Sequence, residues 1–272
     1  MAAVGAPDRS IGFNVHNDSP NLLTVGLSVL WSLRMPAPAP TGTGTFDHAR
    51  LQPILDQLKT DGLATLSTNR GVLTSYIGML GDVDPDELTR DESLAYWLNL
   101  YNAGALRLAA EAYDRNLATV LRIPGGFSKP FATVAGRSLS LDAIEHAKIR
   151  RFKDPRVHGS LVCGSVSCPT LRYEPFEGRN LEDQLEDQMR AFLAGGGAVL
   201  TDETLFLSRI FSWFGGDVVR PHRMPTFLPA RPETVAMALA AWMPPDMADV
   251  AMGGELRVDF QPYDWSLGCS IA

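Results

Sequence analysis

The sequence feature that most constrains the fold is a long helix signal that begins at Thr89. Thr89 and Glu92 have the spacing of a capping box, in which the hydroxyl and the carboxylate each accept a hydrogen bond from a free backbone N–H at the helix start. Apolar side chains then recur at helical spacing over about four turns. They are Leu94, Leu98, Tyr101, Ala105 and Leu108. The spacing predicts one amphipathic helix with a continuous apolar face.

Asn102 lies on the edge of this apolar face, close to Leu98 and Ala105. A buried amide without a partner costs about 1–3 kcal/mol, so Asn102 is expected to hydrogen-bond within the protein. Two interpretations remain open: the amide ties down the backbone of a loop, or it belongs to a functional site. Asn99 lies further round the helix and carries a weaker signal.

Shorter helix and strand patterns flank this helix on both sides. Helical patterns cover 47–59, 66–80, 141–151, 181–193 and 231–242, a hairpin covers 131–140, and a strand is predicted at 256–260. The fold class is therefore predicted to be α+β, a mostly helical single domain with a small β-sheet. This domain is expected at 46–267, after an N-terminal extension and Pro/Gly-rich linker at 1–45 and before a C-terminal tail at 268–272.

The predicted helix at 141–151 carries two ionisable residues of interest. Its buried face includes Glu145, whereas His146 falls on the flank. A carboxylate directed at a core is costly unless it is paired, and such carboxylates often mark functional sites. Glu145 is therefore expected to have either a cationic partner or a functional task. Arg209, in an aromatic stretch, is a candidate partner for Glu145 or for a substrate carboxylate.

The segment 154–171 concentrates the side chains that can carry chemistry. It holds Cys163 and Cys168, which are two of the three cysteines, together with His158 and Ser165. Thiols, imidazoles and hydroxyls are the groups that act as nucleophiles, bases and metal ligands. No other part of the chain combines as many of them.

Residues 157–163 are predicted to form a short buried strand. Alternation along a strand directs the side chains of His158 and Cys163 to opposite faces, so a simple His–Cys dyad requires a bulge. Pro169 suits the first turn of a helix, and a thiol at a helix N-terminus, here Cys168, has a stabilised thiolate. The alternative for both thiols is burial without reactivity, which is common for free cysteines.

Composition argues against several classes of protein. A formal charge of −7 and the lack of a basic stripe argue against nucleic-acid binding. Three cysteines are too few for a disulfide framework in 272 residues. The apolar run at 22–31 is shorter than the ~20 residues that span a bilayer, so no integral membrane segment is predicted. A packed strand or short helix is favoured there over a signal peptide, which predicts a cytoplasmic protein.

Several motifs together resemble the domain-of-unknown-function family 547. In chain order they lie at 96–102, 139–146, 154–158, 161–169, 207–213 and 263–267. As an ordered set they cover roughly residues 45 to 267. The resemblance implies family membership, and the family has no established reaction or catalytic set.

The resemblance also singles out individual positions. The positions that the family tends to retain are occupied here by Asn102, Glu145, His146, His158 and Cys163. Plant members often have serine in place of Cys168, which disfavours an obligatory Cys163–Cys168 redox pair or a shared zinc site. Many bacterial relatives have lysine where this chain has Arg209, so a role that needs a lysine amine is not implied here.

Three hypotheses follow for the function. In the first, the protein is an enzyme of the thiol hydrolase or acyltransferase type, with Cys163 or Cys168 as the nucleophile. His158 or His146 would then be the base, and Asn102 or Glu145 would orient it. Arg209 and Ser165 would contact the substrate, an unidentified small molecule or peptide, and no cofactor is predicted.

The second hypothesis is a non-catalytic binding or scaffold domain, in which the same polar groups form a buried network that fixes the fold. The third is a metal site built from His146, His158, Cys163 and Cys168. It has acceptable ligand types but lacks a recognised zinc spacing, and it has the least support.

Overall fold

A computed structural model describes residues 22–254 and 257–271, so residues 1–21 of the predicted N-terminal extension lie outside the described residues. Ten α-helices are described. They are α1 (Leu22–Ser32), α2 (Gln52–Asp61), α3 (Ala64–Thr68), α4 (Arg70–Gly81), α5 (Arg90–Asp114), α6 (Leu141–Ala147), α7 (Leu181–Phe192), α8 (Arg209–Val219), α9 (Pro232–Leu239) and α10 (Pro245–Gly253). With two small sheets, the protein is mostly helical α+β, as the sequence predicted.

The helix α5 is the central element of the fold. The hydroxyl of Thr89 accepts a hydrogen bond from the backbone N–H of Glu92 at 3.2 Å, which confirms the predicted start. The helix is buried on nearly all sides rather than on one face. Small residues allow this, since neighbouring groups approach the backbone closely; a Cβ at Gly104 would overlap the ring of Phe131. Only one half of the predicted capping box forms, because the Glu92 carboxylate instead accepts from the N–H of Gly178 at 2.9 Å.

Two hydrophobic clusters form the core. The first surrounds α5 and includes side chains from α2, α3, α4 and α6. The second lies between α7, α8, α9 and α10, and its fully buried members are Met189, Leu193, Leu205, Leu207, Phe211, Val235, Ala236 and Leu239. The predicted helix at 66–80 is divided at Asn69 into α3 and α4.

The strands are short and lie in two separate sheets. The predicted hairpin is confirmed as β1 (Ala132–Val134) paired antiparallel with β2 (Arg137–Leu139). Its turn residues Ala135 and Gly136 have φ values of 46° and 73°, as a two-residue primed turn requires. In the second sheet, β4 (Thr204–Leu207) pairs antiparallel with β3 (Ala198–Leu200) and parallel with β5 (Arg257–Phe260). The last of these confirms the predicted C-terminal strand.

The predicted strand at 157–163 is wrong. Residues Pro155–Gly159 form a 3₁₀ turn, whose first N–H groups are capped by Asp154 through a 2.9 Å bond from the N–H of Arg156. Residues 160–163 pair with no strand among the described residues, and the backbone of Ser160 and Val162 bonds instead to a side chain of α5, as described below. The predicted helix after Cys168 is also absent from the described residues, where the chain stays irregular until a 3₁₀ turn at Gly178–Asn180. Short apolar runs do not distinguish these alternatives by periodicity.

The C-terminal segment returns from the second cluster to the loop that carries the cysteines. Isolated β-bridges join Ser165 to Leu267 and Leu171 to Ile271. The N–H of Leu267 also donates to the carbonyl of Ala118 at 2.7 Å. This segment, 263–271, therefore connects parts of the chain that are distant in sequence. Among the residues that the structure describes, no helix combines the length and apolar character needed to cross a bilayer.

Candidate functional site

The two predicted thiols lie together in the structure. Cys163 and Cys168 are joined as a disulfide, with their Cα atoms 6.2 Å apart. The backbone N–H of Cys163 points at the Cys168 sulfur, with a nitrogen–sulfur distance of 2.8 Å. Gly164, with a φ of 80°, makes the turn between them, and a Cβ there would press on Val120 and Ala109. Both cysteines are partly exposed.

Two hydroxyl groups contact both sulfurs. The Ser165 hydroxyl lies 3.1 Å from the Cys163 sulfur and 3.3 Å from the Cys168 sulfur. The Tyr263 hydroxyl lies 3.2 Å and 3.4 Å from the same two atoms, and 2.9 Å from the Ser165 hydroxyl. We call Cys163, Ser165, Cys168 and Tyr263 the sulfur site. Hydroxyl donors of this kind favour the thiolate over the thiol.

An aromatic surface borders the sulfur site. The rings of Trp213, Tyr263 and Trp265 pack on one another, with centroid distances of 4.5–5.8 Å. Trp213 is 41% exposed. Burial raises the pKa of Tyr263 well above its usual value, so its hydroxyl is a neutral hydrogen-bond donor at physiological pH.

A second polar group of residues lies in the interior, centred on Arg150 and Asp217. Both side chains are fully buried. The guanidinium donates from Nε to Oδ2 of Asp217 at 2.7 Å and from Nη2 to Oδ1 at 3.1 Å. It also donates to the carbonyl of Thr226 at 2.9 Å and lies over the rings of Phe214 and Phe227. This bidentate geometry is the strongest form of an arginine–carboxylate pair.

His158 and His146 both contact this buried ion pair. The Nε2 atom of His158 lies 3.0 Å from Oδ2 of Asp217, and its ring stacks on Phe214 with a centroid distance of 4.3 Å. The Nδ1 atom of His146 lies 3.0 Å from Nη1 of Arg150 and accepts from it, because a guanidinium can only donate. We call these four residues (Arg150, Asp217, His158 and His146) the buried ionic cluster.

Charges within the cluster set its protonation. Burial lowers the pKa of both histidines, and the positive charge of Arg150 lowers that of His146 further. Burial raises the pKa of Asp217, but hydrogen bonds from His158 and Arg150 outweigh this effect and hold it at about 2. At neutral pH the cluster therefore contains one guanidinium, one carboxylate and two neutral imidazoles.

Glu145 extends the cluster toward the sulfur site. Its Oε1 atom lies 3.6 Å from Nδ1 of His146, and its Oε2 atom accepts from the Tyr101 hydroxyl at 3.2 Å. Burial raises its pKa to about 7, against the opposing positive charge of Arg150. The predicted pairing of Glu145 with Arg209 is wrong. Arg209 is exposed at the start of α8, and its positive charge lowers the pKa of Asp259.

Asn102 contacts loop backbone and not the sulfurs. Its amide nitrogen donates to the carbonyl of Ser160 at 3.0 Å, and its amide oxygen accepts from the N–H of Val162 at 3.1 Å. Asn99 holds Phe176 in the same two-way manner, at 2.8 Å and 3.0 Å. The first interpretation of Asn102, an amide that ties down a loop, is therefore what the contacts show, and Asn99 has the same role although its sequence signal was weaker.

The predicted site residues thus separate into two groups. Cys163, Cys168 and Ser165 meet in the sulfur site, whereas Glu145, His146 and His158 lie in or beside the buried ionic cluster. The predicted flank position of His146 is wrong, as its side chain is 7% exposed. Within the described residues no group of three or more His, Cys, Asp or Glu side chains is arranged to hold a metal ion.

Sequence reasoning missed four residues that complete these groups. They are Tyr101, Arg150, Asp217 and Tyr263. Arg150 follows His146 by four residues, so helical spacing already placed the two side chains on one face. Asp217 gave no local signal, because it reaches its partners only through long-range contacts, and Tyr263 was included only as the first residue of the motif at 263–267.

The raised pKa of Glu145 predicts a stability that falls with pH. The folded state keeps the Glu145 proton up to a pKa of about 7, whereas the reference value is 4.5. Between these pH values the folded state binds more protons than the unfolded state, so the free energy of unfolding falls as pH rises, by up to about 3 kcal/mol. We expect Glu145→Gln to remove this loss, so that its stability relative to wild type increases from pH 5 to pH 8. Urea unfolding at both pH values measures the difference, and parallel pH profiles for the two proteins would contradict it.

Comparison with known proteins gives a family match. Residues 85–193 match the family model described as "Protein of unknown function, DUF547". No curated protein and no solved structure matches the chain. The matched segment includes α5, α6, α7 and the cysteine loop, whereas Asp217 and Tyr263 lie beyond it. Through this segment, which is less than half of the chain, the protein is similar to the DUF547 family of proteins of unknown function, in line with the resemblance of its motifs.

Proposed function

We propose that the protein has a thiol-dependent function in which Cys163 and Cys168 alternate between a disulfide and a dithiol. The observation that carries the proposal is the convergence of two sulfurs and two hydroxyls at one partly exposed site. Among the described residues the polar contacts of the sulfurs are with hydroxyls and a backbone N–H, not with a histidine, which favours disulfide exchange over Cys–His hydrolysis.

The contacts also suggest which sulfur is attacked. The two sulfurs share the hydroxyls of Ser165 and Tyr263, each of which has a single proton to donate, and only Cys168 also has the N–H of Cys163 as a donor. The better stabilised thiolate is the better leaving group. We therefore assign Cys163 as the sulfur that a substrate thiolate attacks and Cys168 as the sulfur that leaves.

The reaction balances with a dithiol substrate. The first substrate thiolate forms a bond to Cys163 as the Cys163–Cys168 bond breaks, and the bonding electron pair leaves on Cys168. The second substrate thiolate then attacks the substrate sulfur of the mixed disulfide and releases Cys163 as a thiolate. The substrate loses two electrons and becomes a disulfide, while the protein becomes a dithiol that takes up the two protons the substrate gave up.

Glutathione disulfide exchange on the reduced protein tests the proposal. In Cys168→Ser the remaining Cys163 thiol is expected to accumulate a mixed disulfide with glutathione, because Cys168, the adjacent thiol that would resolve it, has been removed. Wild type is expected to return to the internal disulfide, as is Cys269→Ser, the matched control. Peptide mass spectrometry reads each state. If Cys163 and Cys168 remain unmodified until the protein is denatured, the proposal fails and the loop is part of a non-catalytic binding or scaffold domain.

Tyr263→Phe tests the role assigned to the hydroxyl. Loss of one donor is expected to raise the pKa of the reduced thiols and slow alkylation at neutral pH by about tenfold, since a shift of one pK unit changes the thiolate fraction tenfold. At a pH above both thiol pKa values the rates of wild type and variant are expected to converge. A purely structural effect would slow or accelerate alkylation equally at all pH values.

A second candidate is acyl transfer by the reduced protein, the hydrolase or acyltransferase chemistry expected from the sequence. The observation in its favour is Glu145, whose pKa of about 7 suits a general acid or base at neutral pH. Ester hydrolysis that disappears in Cys163→Ser and in Glu145→Gln, but persists in Cys168→Ser, would support it. Equal hydrolysis by all three variants would argue against it.

A further inference from the structure

A groove of about 260 Å³ lies apart from the residues of the sulfur site and the buried ionic cluster. One wall is the Pro-rich linker, from Pro38 to Thr41, and the other is formed by Arg90, Arg151 and Phe152. Arg90 is the first residue of α5, and the other two end the 3₁₀ turn at Ile149–Phe152 that follows α6.

The linker wall is held in place by backbone contacts. The N–H groups of Thr41 and Gly42 donate to the carbonyl of Asp86 at 3.0 Å and 3.3 Å, and the N–H of Ala39 donates to the Asp86 carboxylate at 2.8 Å. Gly42 lies so close to Glu87 that a Cβ would overlap its carbonyl. The groove is therefore formed before any ligand arrives, which reduces the entropy lost on binding.

The two arginines of the groove are fixed mainly by neutral partners. Arg151 donates from Nη2 to the carbonyl of Leu33 at 3.1 Å, and Arg90 donates from Nη2 to the carbonyl of Phe152 at 2.8 Å. Within the described part of the chain, Arg90 forms an ion pair only with the exposed Asp91, at 3.4 Å. The Nε atom of Arg151 is buried and has no hydrogen-bond partner among the described residues. Both guanidinium groups are thus held in position while most of their charge is not neutralised.

A third cation strengthens the positive field. Lys148 donates from Nζ to the carbonyl of Pro36 at 2.8 Å, again a neutral partner. Burial lowers its pKa, and the positive charges of Arg137 and Arg151 lower it further. The negative charges of Asp86 and Asp84 oppose this effect, and the Asp86 carboxylate also accepts a hydrogen bond from the N–H of Ala39 in the linker.

We propose that this groove binds a small organic anion, whose carboxylate or phosphate contacts Arg90 and Arg151 and whose compact apolar body lies against Pro38, Pro40 and Phe152. Guanidinium groups recognise both head groups by paired hydrogen bonds. A ring-sized body fits the volume and finds apolar surface on both walls. The site is independent of the proposed thiol function.

Calorimetric titration of the full chain tests the site with four probes: phenyl phosphate, phenylacetate, inorganic phosphate and benzyl alcohol. We expect at least one of the two aromatic anions to bind about tenfold more tightly than inorganic phosphate, which lacks the apolar body, and benzyl alcohol to show no binding because it lacks the charge. The aromatic anion that binds more tightly shows whether the groove prefers a phosphate or a carboxylate head group.

Variants locate the binding. Arg151→Gln and Arg90→Gln are each expected to weaken the binding of the more tightly bound aromatic anion by about tenfold. Arg179→Gln removes an exposed arginine elsewhere and is expected to leave this affinity unchanged. Arg90→Gln serves as the decisive variant if loss of the Leu33 contact makes Arg151→Gln unfold. Absence of binding by both aromatic anions at about 10 mM, or unchanged binding by Arg90→Gln, would overturn the proposal.

Discussion

Asp217→Ala is expected to destabilise the protein by about 3–5 kcal/mol, which is the largest effect we predict for a single substitution. The carboxylate is the partner of a fully buried guanidinium, and it also accepts hydrogen bonds from His158 and from the N–H of Thr226. Its removal leaves the charge of Arg150 without a counter-ion in a site closed to water. Urea unfolding followed by circular dichroism measures the loss.

Two further variants show whether the effect arises from the buried charge. The double variant Arg150→Met with Asp217→Leu removes both charges together and is expected to recover most of the stability, since apolar replacements of a buried ion pair are often neutral. Glu111→Gln breaks the exposed pair with Arg115 and is expected to cost less than about 1 kcal/mol. A small effect of Asp217→Ala would mean that water reaches the cluster.

Asn102→Ala is expected to destabilise the protein by about 2–4 kcal/mol, because it leaves the carbonyl of Ser160 and the N–H of Val162 unpaired in a buried site. The effect should be local as well as global. Hydrogen exchange at 160–163 is expected to accelerate more than exchange at the centre of α5, since the hydrogen bonds of the Asn102 amide hold the loop and not the helix.

Asn180→Ala is the matched control for this change. Asn180 is exposed and lies before α7, and among the described residues its amide donates to the neighbouring half-buried Glu177. Its loss is expected to change stability by less than about 0.5 kcal/mol. Equal effects of the two substitutions would show that the Asn102 hydrogen bonds contribute little beyond those of a surface amide.

Periodicity predicted the elements whose structure is decided locally. The apolar spacing and the Thr89 cap located α5, and the Ala-Gly turn located the hairpin. The stretch at 157–163 was misassigned because its backbone forms hydrogen bonds with the amide of Asn102. A side-chain partner 58 residues away produces no periodic pattern in the sequence. The burial of α5 on all sides was missed for the same reason, since it depends on what packs against the helix.

The sequence predicted which residue types belong to the candidate site, but not which of these residues contact one another. The sequence identified Cys163 and Cys168, and the structure adds that Tyr263 contacts both sulfurs. The expected pairing of histidine with thiol did not appear, because the His158 ring forms a hydrogen bond with Asp217. Which polar group finds which partner depends on long-range packing, and spacing along one chain carries no information about it.

The return of segment 263–271 to the cysteine loop has a consequence for biosynthesis. Tyr263 follows Cys163 by 100 residues, and the bridge from Ser165 ends at Leu267. Chains emerge from the ribosome from the N-terminus at about 5–20 residues per second, so the helices around α5 can assemble while this segment is still being made. During that interval the nascent cysteines lack the phenol that later contacts them. The contacts of the Tyr263 hydroxyl with the two sulfurs can therefore form only after this last segment has been made.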